Sequence, residues 1–571
     1  MSVFWNTVLL SGLSVVVCAL YFKVLVRSVV QFFIIPPSNY KIRIKKAVLS
    51  TGSDGNKTPV LDFSWKNGAV RRKLLLAAEE PGEYSNKEHG NRIKIANAER
   101  SNIKKFLERS EKTSKVLFGF FHPYCNAGGG GEKVLWKAVE TTLQNSADNI
   151  ALIYTGDKDT NAEDILKKVI YTFGYNLDPK RIAFIYLEKR KWVDSANWPY
   201  FTLIGQAIGS IVLATEAAIN CPPDVWCDTM GYPFAYPFVK GFLNIPVVSY
   251  THYPVISTDM INKLRNMYGF KTNFSIMAKY VYWKLFMSCY KWLESSVDIV
   301  ATNSTWTNNH IKAIWQSHPS IKIIYPPCST ESFELKESSD KWERKHQAVV
   351  VAQFRPEKRH ELIIRSFAKF LRSAPSSDMK LVLVGSTRGQ EDKDYISRLE
   401  HIAYVELQIP TFRLSFQVDC NYEQVKRYLR ESSFGINAMW NEHFGIAIVE
   451  YAASGLITLA HASAGPLLDI AVPWDVDTNT QATVANKENR TGFFFKDKSD
   501  PDYRHTDSTS FPSLDELLVL VDKLSDKEKI GVATRSRLCV LHKFSDSKFS
   551  EEWTHVLDEV RVLVQKYPIE Q

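Results

Sequence analysis

The chain has 571 residues, 45% of them hydrophobic and 23% charged, and a formal net charge of +9. That length holds two or three domains with full cores, and the ordinary apolar fraction excludes a disordered or low-complexity chain. The modest positive balance suits an anionic ligand or a membrane surface and is no nucleic-acid footprint by itself, and the basic stretch at 38–114 has few of the interleaved aromatics that a nucleic-acid binder needs.

From the N-terminus, residues 3 to 22 carry no charge, which is about the length needed to span a ~30 Å hydrocarbon core. No basic stretch precedes this segment and no small-x-small cleavage site follows it, so an anchor is preferred over a signal peptide. Lys23, Arg27, Lys41, Arg43, Lys45 and Lys46 all follow it. The positive-inside tendency then predicts a single pass, with the N-terminus luminal and the rest of the chain cytosolic. Residues 1–37 are expected to form the anchor and an interfacial segment ending at Pro36-Pro37. Residues 38–114 read as a basic juxtamembrane arm. The eight cysteines are scattered with no C-x-x-C pair, which argues for a reducing compartment and against a zinc site.

From Lys115 apolar runs alternate with helical stretches. Val116–Phe121, Ile150–Thr155, Ile182–Leu187, Val225–Asp228, Val247–Thr251, Ile299–Thr302 and Ile321–Tyr325 are predicted strands. The pattern predicts a parallel sheet covered on both faces. Tyr325-Pro326-Pro327 interrupts regular structure, and a second series follows at Val349–Phe354, Leu381–Gly385, Phe434–Met439 and Ile457–His461. The expected architecture is α/β, with two doubly wound Rossmann-like domains at 115–330 and 331–550. A last helix within 551–571 could return to the first domain. Phe201 to Ala214 and Tyr280 to Met287 read equally as membrane-seeking or as core helices.

The stretch Asn441-Glu442-His443-Phe444-Gly445-Ile446 links a predicted strand to a predicted helix that carries Glu450. A helix N-terminus at a strand's carboxyl end is where an open α/β sheet binds anions. Two carboxylates cannot both grip a diphosphate, but Glu442 and Glu450 can accept hydrogen bonds from hydroxyls on either side of one. Arg355 and Lys358 follow the first strand of the second domain, where fixed cations could stabilise a departing diphosphate. Gly128-Gly129-Gly130-Gly131 follows the first strand of the chain and precedes a helix expected near Glu132. Glycine lets the backbone approach a ligand closely, but this run matches neither a Walker A sequence nor G-x-G-x-x-G. His252 ends the strand Val247–Thr251, and His122 stands at the equivalent end of the first strand.

Together His122-Pro123-Tyr124-Cys125-Asn126-Ala127 with the glycine run, Ser249-Tyr250-Thr251-His252-Tyr253-Pro254, Gln353-Phe354-Arg355-Pro356-Glu357-Lys358, and Asn441 to Ile446 with Glu450 resemble one family. It is the α-1,2-mannosyltransferases of the dolichol-linked oligosaccharide pathway of the endoplasmic reticulum, in glycosyltransferase family 4. The resemblance implies a GT-B fold, with its two domains facing a cleft behind an N-terminal transmembrane helix. It implies GDP-mannose as donor and a cytosol-facing, dolichol-linked Man3GlcNAc2 as acceptor, extended by its fourth and fifth mannoses. The endoplasmic reticulum membrane, and other mannosyltransferases of the pathway, are the further partners it suggests. By position, Glu442 would take the mannose hydroxyls, Glu450 the ribose, and Arg355 and Lys358 the diphosphate. His252 would lie near the reacting sugar as the second catalytic candidate, and His443, Phe444, Gly445, Gly129 and Gly130 would line the donor. The group is generally metal-independent, so no cofactor is expected. One departure stands out: many relatives space the arginine and lysine about five residues apart, whereas here the gap is three. The alternatives are a GT-B enzyme using another nucleotide sugar, since no derivable motif reads guanine, and an inactive pathway scaffold, against which the intact Glu442, Glu450, Arg355 and Lys358 argue.

Overall fold

Runs of three to seven residues, most of them apolar and buried in the middle of each sheet, build two parallel sheets, each in its own compact unit. The computed structural model describes residues 21–22, 24–31 and 34, the strands 60–62 and 92–94, and residues 115–265, 273–333, 341–504 and 506–566. The expected membrane span lies outside the described residues except for Tyr21 and Phe22. So does the basic arm, apart from an antiparallel pairing of Val60–Asp62 with Arg92–Lys94.

The first unit comprises residues up to Ala301, Ile311–Lys322 and Ser550–Gln571. Its sheet runs through β1 (Val116–Phe121), β2 (Asn149–Thr155), β3 (Ile182–Tyr186), β4 (Val225–Asp228), β5 (Val247–Thr251), β6 (Ile299–Thr302) and β7 (Ile321–Ile323), in the order β3-β2-β1-β4-β5-β6-β7. The chain moves outward from β1 in one direction and then resumes on its other side at β4. The carboxyl ends of β1 and β4 therefore flank a topological switch point, the usual ligand crevice of such sheets. Helices α1 (Gly130–Asn145), α2 (Thr202–Asn220) and α3 (Phe274–Trp292) belong to this unit.

The second unit comprises Thr302–His310 and Ile323–Phe549. Its six strands are β8 (Lys345–Val351), β9 (Lys380–Gly385), β10 (Leu414–Val418), β11 (Ser432–Asn437), β12 (Ile457–His461) and β13 (Gly492–Phe495), in the order β10-β9-β8-β11-β12-β13. The switch point here falls between β8 and β11. The helix α4 (Thr305–Ile314) begins in this unit, which also holds α5 (His360–Ser373) and α6 (Ile446–Ala453). Tyr451 fixes α6 against the sheet. Its ring covers Gly435 of β11 so closely that a Cβ there would come within 2.4 Å of it. Its hydroxyl accepts the Val351 N–H at 2.7 Å. One buried tyrosine thus holds α6 over the junction of β8 and β11.

The last helix, α7 (Asp546–Lys566), packs its later turns within the first unit. The Trp553 indole donates to the Thr142 hydroxyl at 3.0 Å, and Arg561 donates to the Asn145 side chain at 2.6 Å.

Candidate active site

In the second unit, the two loops leaving β8 and β11 carry six of the expected residues. The apolar run Val349–Phe354 suggested a strand reaching Phe354, but β8 starts earlier, in polar Lys345–Gln347, and ends at Val351. Past its end the backbone of Ala352 lies close on Gly385 of β9, where a Cβ would meet the Ala352 carbonyl at 2.1 Å. Arg355 therefore opens a short 3-10 turn, Pro356–Lys358, instead of standing directly on a strand end. That turn carries Lys358 across to the loop after β11, where its ammonium donates to Glu442 Oε2 at 2.7 Å and lies 3.0 Å from Met439 Sδ. The Arg355 guanidinium makes no ion pair among the described residues.

Gly445 caps α6 at φ 109°, ψ 63°, a conformation that strains any residue with a Cβ. The first turn of α6 receives no side-chain cap, so its leading N–H groups stay available for an anion. Behind Gly445, Phe444 is buried between Tyr325 (ring centroids 5.9 Å) and Phe544 (5.3 Å). Its side chain anchors the loop, so only its backbone can serve a ligand. His443 stacks on Trp306 at 4.4 Å and 15°, and burial pushes its pKa down to about 4. It is a neutral imidazole at neutral pH. Glu450 is half-buried on α6.

The first unit brings a second group together. Helix α1 starts at Gly130, inside the glycine run and two residues before the expected Glu132. The reason is local: the Glu132 carboxylate reaches back to accept the Gly129 N–H at 2.7 Å, closing the helix start on itself. Gly129 is thus the N-cap and Gly130 the first helical residue, and within the run only Gly128, at φ 84°, is left-handed. His252 Nε2 lies 3.7 Å from the position of a Cβ on Gly131, and 3.1 Å from the Thr229 carbonyl, to which it donates. His122 is fully buried, with Nδ1 2.7 Å from the Thr229 hydroxyl and Nε2 3.6 Å from Glu132. Burial works to raise the Glu132 pKa, but the His122 contact and the Gly129 N–H outweigh it and hold the carboxyl below its usual range.

Several residues of these neighbourhoods carry no sequence signal. Asp228, fully buried at the end of β4, accepts the N–H groups of Met230, Gly231 and Tyr232 and the Tyr236 hydroxyl. Asp469 takes the Thr305 N–H at 3.0 Å and the Tyr325 hydroxyl at 2.9 Å, tying the start of α4 to the second unit. Nothing at the sequence level singled out Trp306; an aromatic two residues past a helix-capping Ser304 is an ordinary pattern. Among the described residues, no three His, Cys, Asp or Glu side chains gather as a metal-binding group.

Comparison with known proteins adds to this geometry. Residues 115–315 match the family model described as ALG11 mannosyltransferase N-terminus, and residues 331–502 match Glycosyl transferases group 1. A protein of Eremothecium gossypii named GDP-Man:Man(3)GlcNAc(2)-PP-Dol alpha-1,2-mannosyltransferase is 56% identical over 92% of this chain and 91% of its own. One of the same name from Kluyveromyces lactis is 53% identical over 95% of each. Among solved structures, sucrose-phosphate synthase from Thermosynechococcus elongatus aligns with a TM-score of 0.52 at 12% identity, over 78% of this chain and all of that one. That likeness shows the fold, which is GT-B.

Proposed function

The chain belongs to the GDP-Man:Man(3)GlcNAc(2)-PP-Dol α-1,2-mannosyltransferase family, and from that membership we propose that it adds the fourth and fifth mannoses, α-1,2-linked, from GDP-mannose to dolichol-pyrophosphate-linked Man3GlcNAc2. The observation that carries the site reading is the ion pair of Lys358 with Glu442, 2.7 Å, beside the uncapped N-terminus of α6. A lysine and a carboxylate held together there neutralise each other until an anion arrives. The diphosphate then takes Lys358, Arg355 and the helix N–H groups, which frees Glu442 to accept from the mannose hydroxyls. Glu450, further along the same helix, takes the ribose. Neutral His443 donates or accepts a hydrogen bond without adding charge.

The bond from the anomeric carbon to the diphosphate breaks as the acceptor hydroxyl attacks from the same face, and the leaving diphosphate oxygen takes the hydroxyl's proton. Lys358, Arg355 and the α6 N-terminus stabilise the charge that develops on GDP. This arrangement supplies the neutralisation that a divalent cation gives elsewhere, so transfer should persist in a chelator. His252, beside the start of α1, helps position the reacting sugar. The test is transfer of labelled mannose to the lipid-linked acceptor, wild type beside Glu442→Gln, with linkage analysis. Growth by two α-1,2 mannoses, reduced about 10²–10³-fold in the variant, is expected. An undiminished variant or a β-linked product overturns the reading.

On the same reading the enzyme works at the endoplasmic reticulum membrane, with both units cytosolic. Two observations in the first unit support it. Helix α2 is long and apolar enough to cross a membrane, yet only 39% of its most apolar window is buried. Its outer face shows Ile204, Ile208 and Ile211, while α3 shows Phe274, Met277, Val281, Leu285 and Trp292 at helical spacing. The helical segment after the expected anchor also docks on this unit, through Gln31 to the Phe242 carbonyl at 3.0 Å and buried Ile34.

A further inference from the structure

Behind the Lys358–Glu442 pair runs a closed polar circuit in the second unit. Arg359, next to Lys358, donates to Asp500 Oδ1 at 2.6 Å and to the Ser499 hydroxyl at 2.6 Å. Asp500 Oδ2 accepts the Asp497 N–H at 2.7 Å and lies 2.8 Å from His461 Nε2. His461 Nδ1 lies 2.9 Å from the Ser463 hydroxyl, which accepts the Asn441 N–H at 2.9 Å. Asn441 precedes Glu442, whose own carbonyl accepts the Gly465 N–H at 3.0 Å. The circuit leaves the β8 loop at Arg359 and passes the end of β12. It enters the β11 loop at Asn441, beside the carboxylate that Lys358 reaches from the other side.

Three features mark the circuit as more than a set of solvated side chains. The side chains of His461 and Asp500 are both fully buried. A carboxylate can only accept, so with a neutral imidazole Asp500 fixes the proton on Nε2 and leaves Nδ1 to accept from Ser463. Arg359, Asn441 and Ala464, at its corners, hold left-handed backbone at φ 57°, 52° and 43°, though none is glycine. Such conformations persist only where surrounding contacts impose them.

We propose that His461 is a positioning residue for Glu442, acting with Asp500, Arg359 and Ser463 to set where that carboxylate meets the transferred sugar. The proposal rests on the reading of Glu442 as the mannose-gripping group. Its test uses the whole chain and two ligands, GDP-mannose and GDP, which differ by the sugar Glu442 would hold. Ser463→Ala removes one hydroxyl and leaves the Asn441 N–H and His461 Nδ1 without their partner, a loss of about 1–3 kcal/mol, or roughly 5- to 150-fold. The expected result is a drop of about tenfold in kcat and in the ratio of GDP-mannose to GDP affinity, with GDP affinity itself unchanged. Ser463→Thr, which restores the hydroxyl, should recover both. A purely structural role would lower thermal stability and the active fraction but leave the affinity ratio at the wild-type value, and that result overturns the proposal. Glu442→Gln separates the two readings. If it lowers the ratio while Ser463→Ala does not, the circuit fails alone. If Glu442→Gln leaves the ratio unchanged, the role of Glu442 falls and the proposal with it.

Discussion

Replacing Gly445 by alanine isolates the geometry of the β11 loop. At φ 109°, ψ 63° the residue lies beyond the ordinary left-handed basin, so a Cβ there costs at least about 1–2 kcal/mol in backbone strain. The added methyl would lie 3.3 Å from Glu442 Cγ and 3.1 Å from Ile448 Cδ1. Both contacts are too close to be absorbed without movement, and the Glu442 side chain is the freer of the two to move. Relief of these contacts needs a shift of a few tenths of an ångström, a fraction of the 1 Å misplacement that costs on the order of 10²-fold, so a rate loss of about tenfold is expected. Gly174→Ala is the matched control. That glycine caps the helix Ala162–Phe173 at φ 76° and donates to the Ile170 carbonyl at 2.9 Å, and nothing lies within 4 Å of where its new methyl would sit. It carries comparable strain away from the site. Denaturation midpoints, GDP affinity and initial transfer rates should show both variants destabilised by about 1–2 kcal/mol, with the roughly tenfold rate loss confined to Gly445→Ala. Equal specific activity in the two variants, once corrected for folded fraction, would refute the link between Gly445 and the placement of Glu442.

Burial holds both His443 and His360 at a pKa of about 4. An unfolded chain, with histidines near 6.5, binds the extra protons between those values, so stability should fall as pH drops from about 6.5 toward 4. Thermal midpoints recorded between pH 7 and 4.5 should show this slope, and His360→Phe, retaining the ring stacked 5.0 Å from Phe354, should flatten part of it; an unaltered slope removes His360 from the account. On the apolar face of the first unit, Ile208→Glu combined with Leu285→Glu should slow transfer to a long-chain lipid acceptor and spare a water-soluble short-chain analogue. Equal effects on the two acceptors would argue against lipid contact there.

The α/β class and the two doubly wound domains were legible because buried parallel strands leave nearly uninterrupted apolar runs, whereas the GT-B assignment came from the family resemblance. Val116–Phe121, Val225–Asp228, Val247–Thr251, Ile299–Thr302 and Ile457–His461 coincide with observed strands. Within the two large sheets, two strands escaped notice, and both are edges of the six-stranded sheet. Leu414–Val418 is half-exposed and alternates polar with apolar residues, and Gly492–Phe495 is only four residues long and starts on glycine. An edge strand buries less, so it carries a weaker apolar signal.

The candidate site was legible where a short segment carries its own signal, as in Asn441 to Glu450 and Gln353 to Lys358. What organises that segment comes from far along the chain: Lys358 lies 84 residues from Glu442, and Asp469 lies 164 residues from Thr305. Arg359, His461 and Asp500 look unremarkable in sequence because each is an ordinary polar residue near a strand end. The order β8-β11-β12-β13 makes them neighbours, since parallel strands bring all their carboxyl ends to one edge of the sheet. The loops after those strands must then share a small polar space, and buried polar groups there must satisfy one another. A carboxylate meant to meet a sugar hydroxyl therefore takes its position from the partners packed behind it as much as from its own motif. This predicts that substitutions at His461 or Asp500 will resemble those at Glu442 more closely than substitutions of equally buried residues elsewhere in the sheet.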